Sequence, residues 1–309
     1  MNELRKDCLL DRWVIIAETR GKRPHDFIQK QCETKEGTCV FCPGNEKLTP
    51  EEIASIRGPH GWTVRCFENM YPATSTEFPQ AFGRHEVIVE MNQHNKNLQD
   101  TPPGAIREVI DMYCRRIEEI SKIDGIAYVL IFKNHGEEAG TSISHEHSQL
   151  IALPRVPTLV EEEVNAYKNY LKKTKKCIFC DIIAMEMNSE RKIFENNHFA
   201  CFAPFASRFP FESWLLPKRH VASITKLTDE EKNSLADALK TILGKLGKLL
   251  KDPPYNYYLH ISPHEEDFHF HIEICPRVTK LAGFELGSEV IINTMPPERA
   301  AAELRALTL

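Results

Sequence analysis

Two C-x-x-C pairs and two H-x-H pairs are the residues of this 309-residue chain best equipped for chemistry. Cys39 and Cys42 stand in CVFC, Cys177 and Cys180 in CIFC, His145 and His147 in SHEHSQ, and His269 and His271 in FHFHIE. A C-x-x-C turn aims two thiolates at one metal ion. Redox chemistry of the thioredoxin kind is the rival reading, but it needs a single motif opening a helix in a βαβ unit, and two copies with histidines downstream fit zinc better. On a strand, side chains two apart share a face, so His145, His147 and Gln149 point to one side, as do His269, His271 and Glu273. Two cysteines plus a histidine at the end of the preceding strand, His94 or His220, make three ligands. One imidazole of each H-x-H pair completes a closed Cys2His2 set, which makes each zinc structural and leaves the other imidazole free.

The surroundings of the two H-x-H pairs differ. The first follows FKNHGEEAGTS, where Asn134, Gly136, Gly140 and Ser142 offer donors to a phosphate, and it is followed by the uncharged donor Gln149. The second has Glu265, Glu266, Asp267 and Glu273 around it, which would repel a phosphoryl group. The first half is therefore expected to be catalytic and the second to keep only the scaffold. With no Walker motif and no Ser/His/Asp spacing, the free histidine points to nucleophilic catalysis on phosphorus. His147 would attack an α-phosphoryl group, with its other ring nitrogen donating to a backbone carbonyl to set the tautomer. Gln149 and Ser142 would stabilise charge on the phosphoryl oxygens. The expected kinetics are ping-pong.

The elements that must position these residues recur. C-x-x-C, a strand with a histidine, a helix, a strand, and H-x-H on a strand closing with Pro-Arg-Val occur twice, ending at Val156 and Val278. This internal repeat predicts two similar domains, 1–158 and 176–309, joined by the charged helical stretch LVEEEVNAYKNYLKKTKK. Apolar positions Ile106, Val109, Ile110, Tyr113 and Ile117, and Leu235, Leu239, Ile242, Leu246 and Leu249, give each half one amphipathic helix. Thr228 with Glu231 reads as a capping box. Short runs such as EVIVEM, IAYVLIF, HSQLIAL, YNYYLHI and HFHIEI read as strands, and the fold class is α+β with mostly antiparallel sheets and packed helices.

Composition bounds the rest. A net charge of −5 gives no footprint for non-specific nucleic-acid binding. The opening MNELRKDCLLDRW lacks the apolar core of a signal peptide, and no stretch approaches the ~20 apolar residues of a membrane span. The expectation is a soluble cytoplasmic protein without a membrane partner. In that compartment the ten cysteines are not disulfides. Cys8, Cys32, Cys66, Cys114, Cys201 and Cys275 read as core or surface packing positions.

Over nearly its whole length the sequence resembles the galactose-1-phosphate uridylyltransferase family of the histidine-triad superfamily. The matching stretches are DRWVIIAETRGKRP, CVFCPGNEKLTPEEI, FENMYPA, GRHEVIVEMNQH, FKNHGEEAGTSISHEHSQ, PFESWLLPKRH and GFELGSEVIINTMPPERAAAELR. The resemblance implies two histidine-triad-like domains, a homodimer, and transfer of UMP from UDP-glucose to galactose 1-phosphate through a uridylylated histidine aligned with His147. It implies substrate contacts at Arg20, Arg23 and Asn69, at Asn134, Ser142 and Gln149 around the phosphate, and in a C-terminal stretch at Gly283, Phe284 and Glu285. It implies zinc sets of Cys39, Cys42, His94 and His145, and of Cys177, Cys180, His220 and His269. One departure bears on substrate: many members read His-Pro-His where this chain has Glu146. The related ADP-glucose phosphorylases also lack that proline and share Ser144 and the His147-Ser148-Gln149 run. Adenylyl transfer to phosphate, dinucleoside-polyphosphate hydrolysis and a non-catalytic zinc-scaffolded nucleotide-binding module are the alternatives. By strand alternation Glu146 should point away from the catalytic face.

Overall fold

The structure, a computed structural model, describes residues 2–22, 38–263 and 267–309. The chain begins with β1 (Asn2–Lys6) and β2 (Trp13–Ala17), followed by a short 3-10 turn at Glu18–Lys22. The first half continues with β3 (Glu52–Gly58), β4 (Gly61–Glu68), β5 (Arg84–Val89), α1 (Pro103–Ile120), β6 (Tyr128–His135) and β7 (His147–Leu153). Helix α2 (Thr158–Thr174) leads to the second half: α3 (Ile178–Glu186), β8 (Lys192–Glu195), β9 (Phe199–Phe202), β10 (Ser213–Pro217), α4 (Asp229–Leu250), β11 (Tyr255–His260) and β12 (His271–Pro276). The chain closes with α5 (Gly283–Ser288), β13 (Ile291–Asn293) and α6 (Pro297–Ala306).

Ten strands form one sheet in the order β3-β4-β5-β7-β6-β11-β12-β10-β9-β8, every neighbouring pair antiparallel. Read from either edge to the middle, the two sets of five strands come in the same relative chain order, so the internal repeat is an architectural one. The halves meet where β6 pairs β11, His135 opposite Tyr255 and Phe132 opposite Tyr258. A second, three-stranded sheet joins β1, β2 and β13, which ties the two ends of the chain together. The fold is α+β and mostly antiparallel.

Helices α1 and α4 bury the faces their periodicity marks: Ile106, Val109, Ile110, Tyr113 and Ile117, and Leu235, Leu239, Ile242 and Leu246, all lie in one core with residues of both halves. Leu249 is only partly buried, as the last turn of α4 leaves the core. The capping box forms: the Thr228 hydroxyl accepts from the Glu231 amide at 3.2 Å, and Glu231 accepts from the Thr228 amide at 2.8 Å. The other face of the sheet in the first half carries a separate small cluster of Phe41, Trp62, Phe67, Val87 and Val89. Alternation along β5 and β7 thus turns Ile88 and Leu150 toward the helices, and Val87 and Val89 toward this smaller cluster.

One expectation needs correction. His94 and His220 do not end strands; β5 stops at Val89 and β10 at Pro217, and both histidines lie in the turns beyond. The bend is what lets each imidazole swing back to its cysteines. Among the lone cysteines, Cys66, Cys114, Cys201 and Cys275 are buried, but Cys8 is exposed, and Cys32 lies outside the described residues.

Candidate active site

The first C-x-x-C forms a tight turn, closed by the Cys42 amide donating to the Cys39 carbonyl at 3.2 Å and braced by Asn45. His145 Nδ1 lies 3.6 Å from both Cys39 Sγ and Cys42 Sγ, and 3.3 Å from His94 Nδ1. A tetrahedral zinc with bonds of about 2.3 Å to sulfur and about 2.05 Å to nitrogen has S···N edges near ~3.6 Å and N···N edges near ~3.3 Å. The donor set therefore fits such an ion, and His145 Nε2 donates to the Met91 carbonyl at 2.8 Å, the outer contact that fixes a ligating ring. In the second half, Cys177 caps the N-terminus of α3, where the helix field favours thiolates. His269 Nδ1 lies 3.6 Å from both sulfurs and Cys180 Sγ lies 3.8 Å from His220 Nδ1, while His269 Nε2 donates to the Pro217 carbonyl. Both groups of four can hold a metal ion.

His147 is left over by the first set. Its Nδ1 donates to the His145 carbonyl at 2.8 Å, so the neutral ring carries its proton there and Nε2 is bare. Burial holds its pKa below the ordinary imidazole range. Phe41, inside the C-x-x-C turn, packs edge-on against the ring at 5.2 Å between centroids. A cleft of about 850 Å³ opens beside it, lined by His147, Ser142, Asn134, Glu137, Asp252 and the histidines of the metal group. That size suits a nucleotide-scale ligand. The loop from Gly136 to Gly140 forms one wall, and Gly136 sits at φ 81° where a Cβ would come within 2.8 Å of Pro254. Only glycine fits there. Asn256, from β11 of the other half, donates to Asn134 Oδ1 and to the Ala139 carbonyl, both at 2.8 Å.

The remaining expected site residues separate into two groups. Gln149 and Asn69 lie together on β7 and just past β4, with Asn69 Nδ2 3.5 Å from Gln149 Oε1. Gln149 follows closely on the cleft residue His147 in sequence, but neither it nor Asn69 is among the residues that line the cleft. Gly140 ends the loop at φ 92° against Asn134. Arg20 sits on the 3-10 turn after β2 and is not part of the cleft wall, nor are Phe284 and Glu285. Phe284 is about half exposed on α5, whose Glu285 caps its own first turn through the Ala282 amide. Arg23, Glu265 and Glu266 lie outside the described residues.

Sequence reasoning missed the polar interior behind β7. Glu146 does turn away from Gln149, and it meets Lys133 and His135, with Glu90 also on Lys133. Tyr113 joins Glu90, Ser148 and Tyr257 by hydrogen bonds of 2.7, 2.8 and 2.7 Å. His135 reaches on to Asp252 at 3.2 Å and stacks on Tyr255. Cross-strand register, which a single sequence does not display, is what assembles this network.

The carboxylates of the second half are placed otherwise than the sequence suggests. Asp267 and Glu273 do not face an open site. Asp267 accepts from Tyr167 and from His220, bracing a metal-group histidine. Glu273 is fully buried on Arg208 and Tyr258. His271 donates Nδ1 to the His269 carbonyl at 3.1 Å, as His147 does in its own half, but its Nε2 faces Glu163 and Glu273 at 3.8 and 4.0 Å. With His260, these form a third buried group able to hold an ion, which sequence reasoning also missed. The His271 Nε2 is fully buried and out of contact with solvent.

The comparisons with known proteins agree on one family. The family models described as galactose-1-phosphate uridyl transferase, N-terminal and C-terminal domains, match residues 1–157 and 163–309. An ADP-glucose phosphorylase of Arabidopsis thaliana is 37% identical over 99% of this chain and 93% of its own length. A galactose-1-phosphate uridylyltransferase of Thermotoga maritima is 32% identical over 99% of this chain and 98% of its own. The crystal structure of an A. thaliana ADP-glucose phosphorylase with bound ADP-glucose superposes with a TM-score of 0.91 at 36% identity, covering all of both chains.

Proposed function

This chain belongs to the galactose-1-phosphate uridyl transferase family and is a nucleotidyltransferase, and we propose that it moves the nucleotidyl group through a covalent intermediate on His147 Nε2. The observation that carries this reading is the hydrogen bond from His147 Nδ1 to the His145 carbonyl, which leaves Nε2 unprotonated at the cleft. The Nε2–phosphorus bond forms as the bond from the α-phosphorus to the bridging oxygen breaks, and a hexose 1-phosphate departs. The ring then carries positive charge, which strengthens its bond to the carbonyl. In the second half-reaction an acceptor oxygen attacks phosphorus and returns the neutral imidazole.

The donor is UDP-glucose and the acceptor galactose 1-phosphate in this reading. Gln149, Ser142 and Asn134 supply donors to the phosphoryl oxygens, where charge grows in the transition state. Asn69, Gly140, Arg20, Arg23, Phe284 and Glu285 are the further proposed substrate contacts. Zinc is the proposed occupant of both Cys2His2 groups, as a closed scaffold with no open position for substrate. A second reading, adenylyl transfer from ADP-glucose to phosphate, is favoured by the higher identity to the phosphorylase and by Glu146 in the active-site motif.

Labelling decides between them. UDP-glucose and ADP-glucose, each carrying 32P on the α-phosphate, are offered separately to the protein without acceptor. A nucleotidyl-imidazole is stable in base and lost in acid, and peptide mapping should place it at His147. Label from neither donor would refute the covalent mechanism; label from one assigns the base. The proposed cytoplasmic homodimer is checked by sedimentation, where a monomer at working concentration would contradict it.

A further inference from the structure

Gln149 can only help a transferring phosphoryl group if its NH2 group, rather than its carbonyl oxygen, faces that group. The amide end of a glutamine rotates freely unless neighbours choose its orientation. The geometry points to His85, on β5, as the positioning residue that makes this choice, and the assignment rests on the reading of His147 and Gln149 above.

The Ala73 amide can only donate, and it lies 3.0 Å from His85 Nδ1. That nitrogen is therefore the acceptor, and the neutral ring carries its proton on Nε2. Burial disfavours the charged ring and keeps it neutral, in the same sense. His85 Nε2 lies 2.8 Å from Gln149 Oε1 and donates to it. Asn69 is oriented likewise: its Oδ1 accepts from the Tyr71 amide at 2.8 Å, so its NH2 group lies between His85 Nε2 at 3.2 Å and Gln149 Oε1 at 3.5 Å, and with the His85 proton on Nε2 only the Gln149 oxygen can accept from it. Two donors thus converge on the carbonyl oxygen of Gln149. Flipping the amide would set NH2 against both. The Gln149 Nε2 is left for a ligand.

The internal repeat supplies an independent comparison. In the first half Val87 pairs with Gln149, and in the second Trp214 pairs with Glu273. Gln149 and Glu273 each stand two residues after the second histidine of H-x-H. Stepping back two residues from the facing strand position gives His85 in one half and Glu212 in the other. The second half fills both places with carboxylates and joins them through Arg208, whose Nη2 lies 2.9 Å from Glu212 Oε1. An acceptor at the His85 position cannot hold the Gln149 carbonyl, so the half whose imidazole lines the cleft is also the half with a donor there. Asn134 shows the same device, its oxygen taken by Asn256.

His85→Gln and His85→Glu separate orientation from packing, because the two side chains have the same shape. Glutamine keeps a donor near the Nε2 position; glutamate offers only acceptors. The readout is the single-turnover rate of protein labelling by whichever of the two 32P donors labels the wild type. H85Q should stay within roughly tenfold of wild type, and H85E should slow by roughly 10²–10³-fold, the cost of losing one preorganised donor. Donor affinity and zinc content should change little. In a Gln149→Ala background, His85→Glu should add no further loss, since it acts through Gln149 alone. Long-range 1H–15N NMR of the wild type should find the His85 proton on Nε2. Equal slowing of H85Q and H85E, a full additional loss in the Gln149→Ala background, or a proton on Nδ1 each overturns the role of His85. A wild type that takes no label overturns instead the reading on which it rests.

Discussion

At the scale of single residues, two neighbours in sequence divide the work by which ring nitrogen each commits. His145 gives Nδ1 to the metal group and Nε2 to a carbonyl, and so has nothing left to react. His147 commits only Nδ1. His147→Ala should abolish labelling and lower turnover by at least ~10³-fold with the fold intact, as loss of a nucleophile does; near-normal turnover in a purified sample would remove it from the mechanism. Cys39→Ser opens the first metal group and loosens the backbone whose carbonyl holds His147. Metal content should fall from about two zincs per chain to about one, with labelling reduced in parallel. The matching Cys177→Ser should cost one zinc as well but spare more of the labelling rate, because the carbonyl that holds His147 belongs to a ligand of the first group and not of the second. Equal losses of labelling would show that the second group does more than brace its half.

At the scale of elements, β7 presents different chemistry on its two faces. One face offers the imidazole and the amide; the other offers Glu146 and Ser148 to a buried network centred on Lys133. Lys133 is held charged despite its burial, because Glu146 and Glu90 both lie against it. Lys133→Met leaves Glu90 without a cation in the core and Glu146 with His135 alone, and denaturant melts should show a loss of roughly 3–5 kcal/mol; a change under ~1 kcal/mol would mean that water or rearrangement satisfies them. His135 links β6 to the end of α4 through Asp252. Burial works against its charge, but Asp252 and Glu146 raise its pKa to about 9. The folded value exceeds the ~6.5 of an unfolded histidine, so its contribution is complete below ~6.5 and is lost as pH rises through about 9. Wild-type stability should therefore decline across that window more than His135→Asn does. Parallel curves for the two proteins would assign the decline to other groups.

At the scale of the whole molecule, the proposed units 1–158 and 176–309 share one ten-stranded sheet and one helix-covered core. Separating them would break the β6–β11 ladder and expose Tyr257 and Ile131, each about 1% accessible. Calorimetry should show a single unfolding transition, since neither half keeps its core alone; two resolved transitions would mean that the halves fold independently. The halves also complete each other's chemistry. Asn256 and Asp252 come from the second half to a cleft whose reactive group belongs to the first. In turn, Glu163 on α2 reaches into the second half's buried histidines.

Local rules made the periodic helices, the Thr228 cap, the repeat and the grouping of cysteines with histidines readable from the residues, because each depends on spacing along the chain. That one ring of each H-x-H pair stays free was readable too, since two thiolates and two histidines close a tetrahedron; that His145 is the ligand and His147 the free ring was what the family resemblance implied. The tertiary structure alone decided that Glu273 is a buried ion-pair partner rather than a repelling charge, that His94 and His220 lie past their strands, and that His85 stands beside Gln149. These depend on which strand lies next to which, and in what register. A one-residue slip in pairing would carry every such side chain to the other face of the sheet, and that register is fixed by packing between segments far apart in sequence.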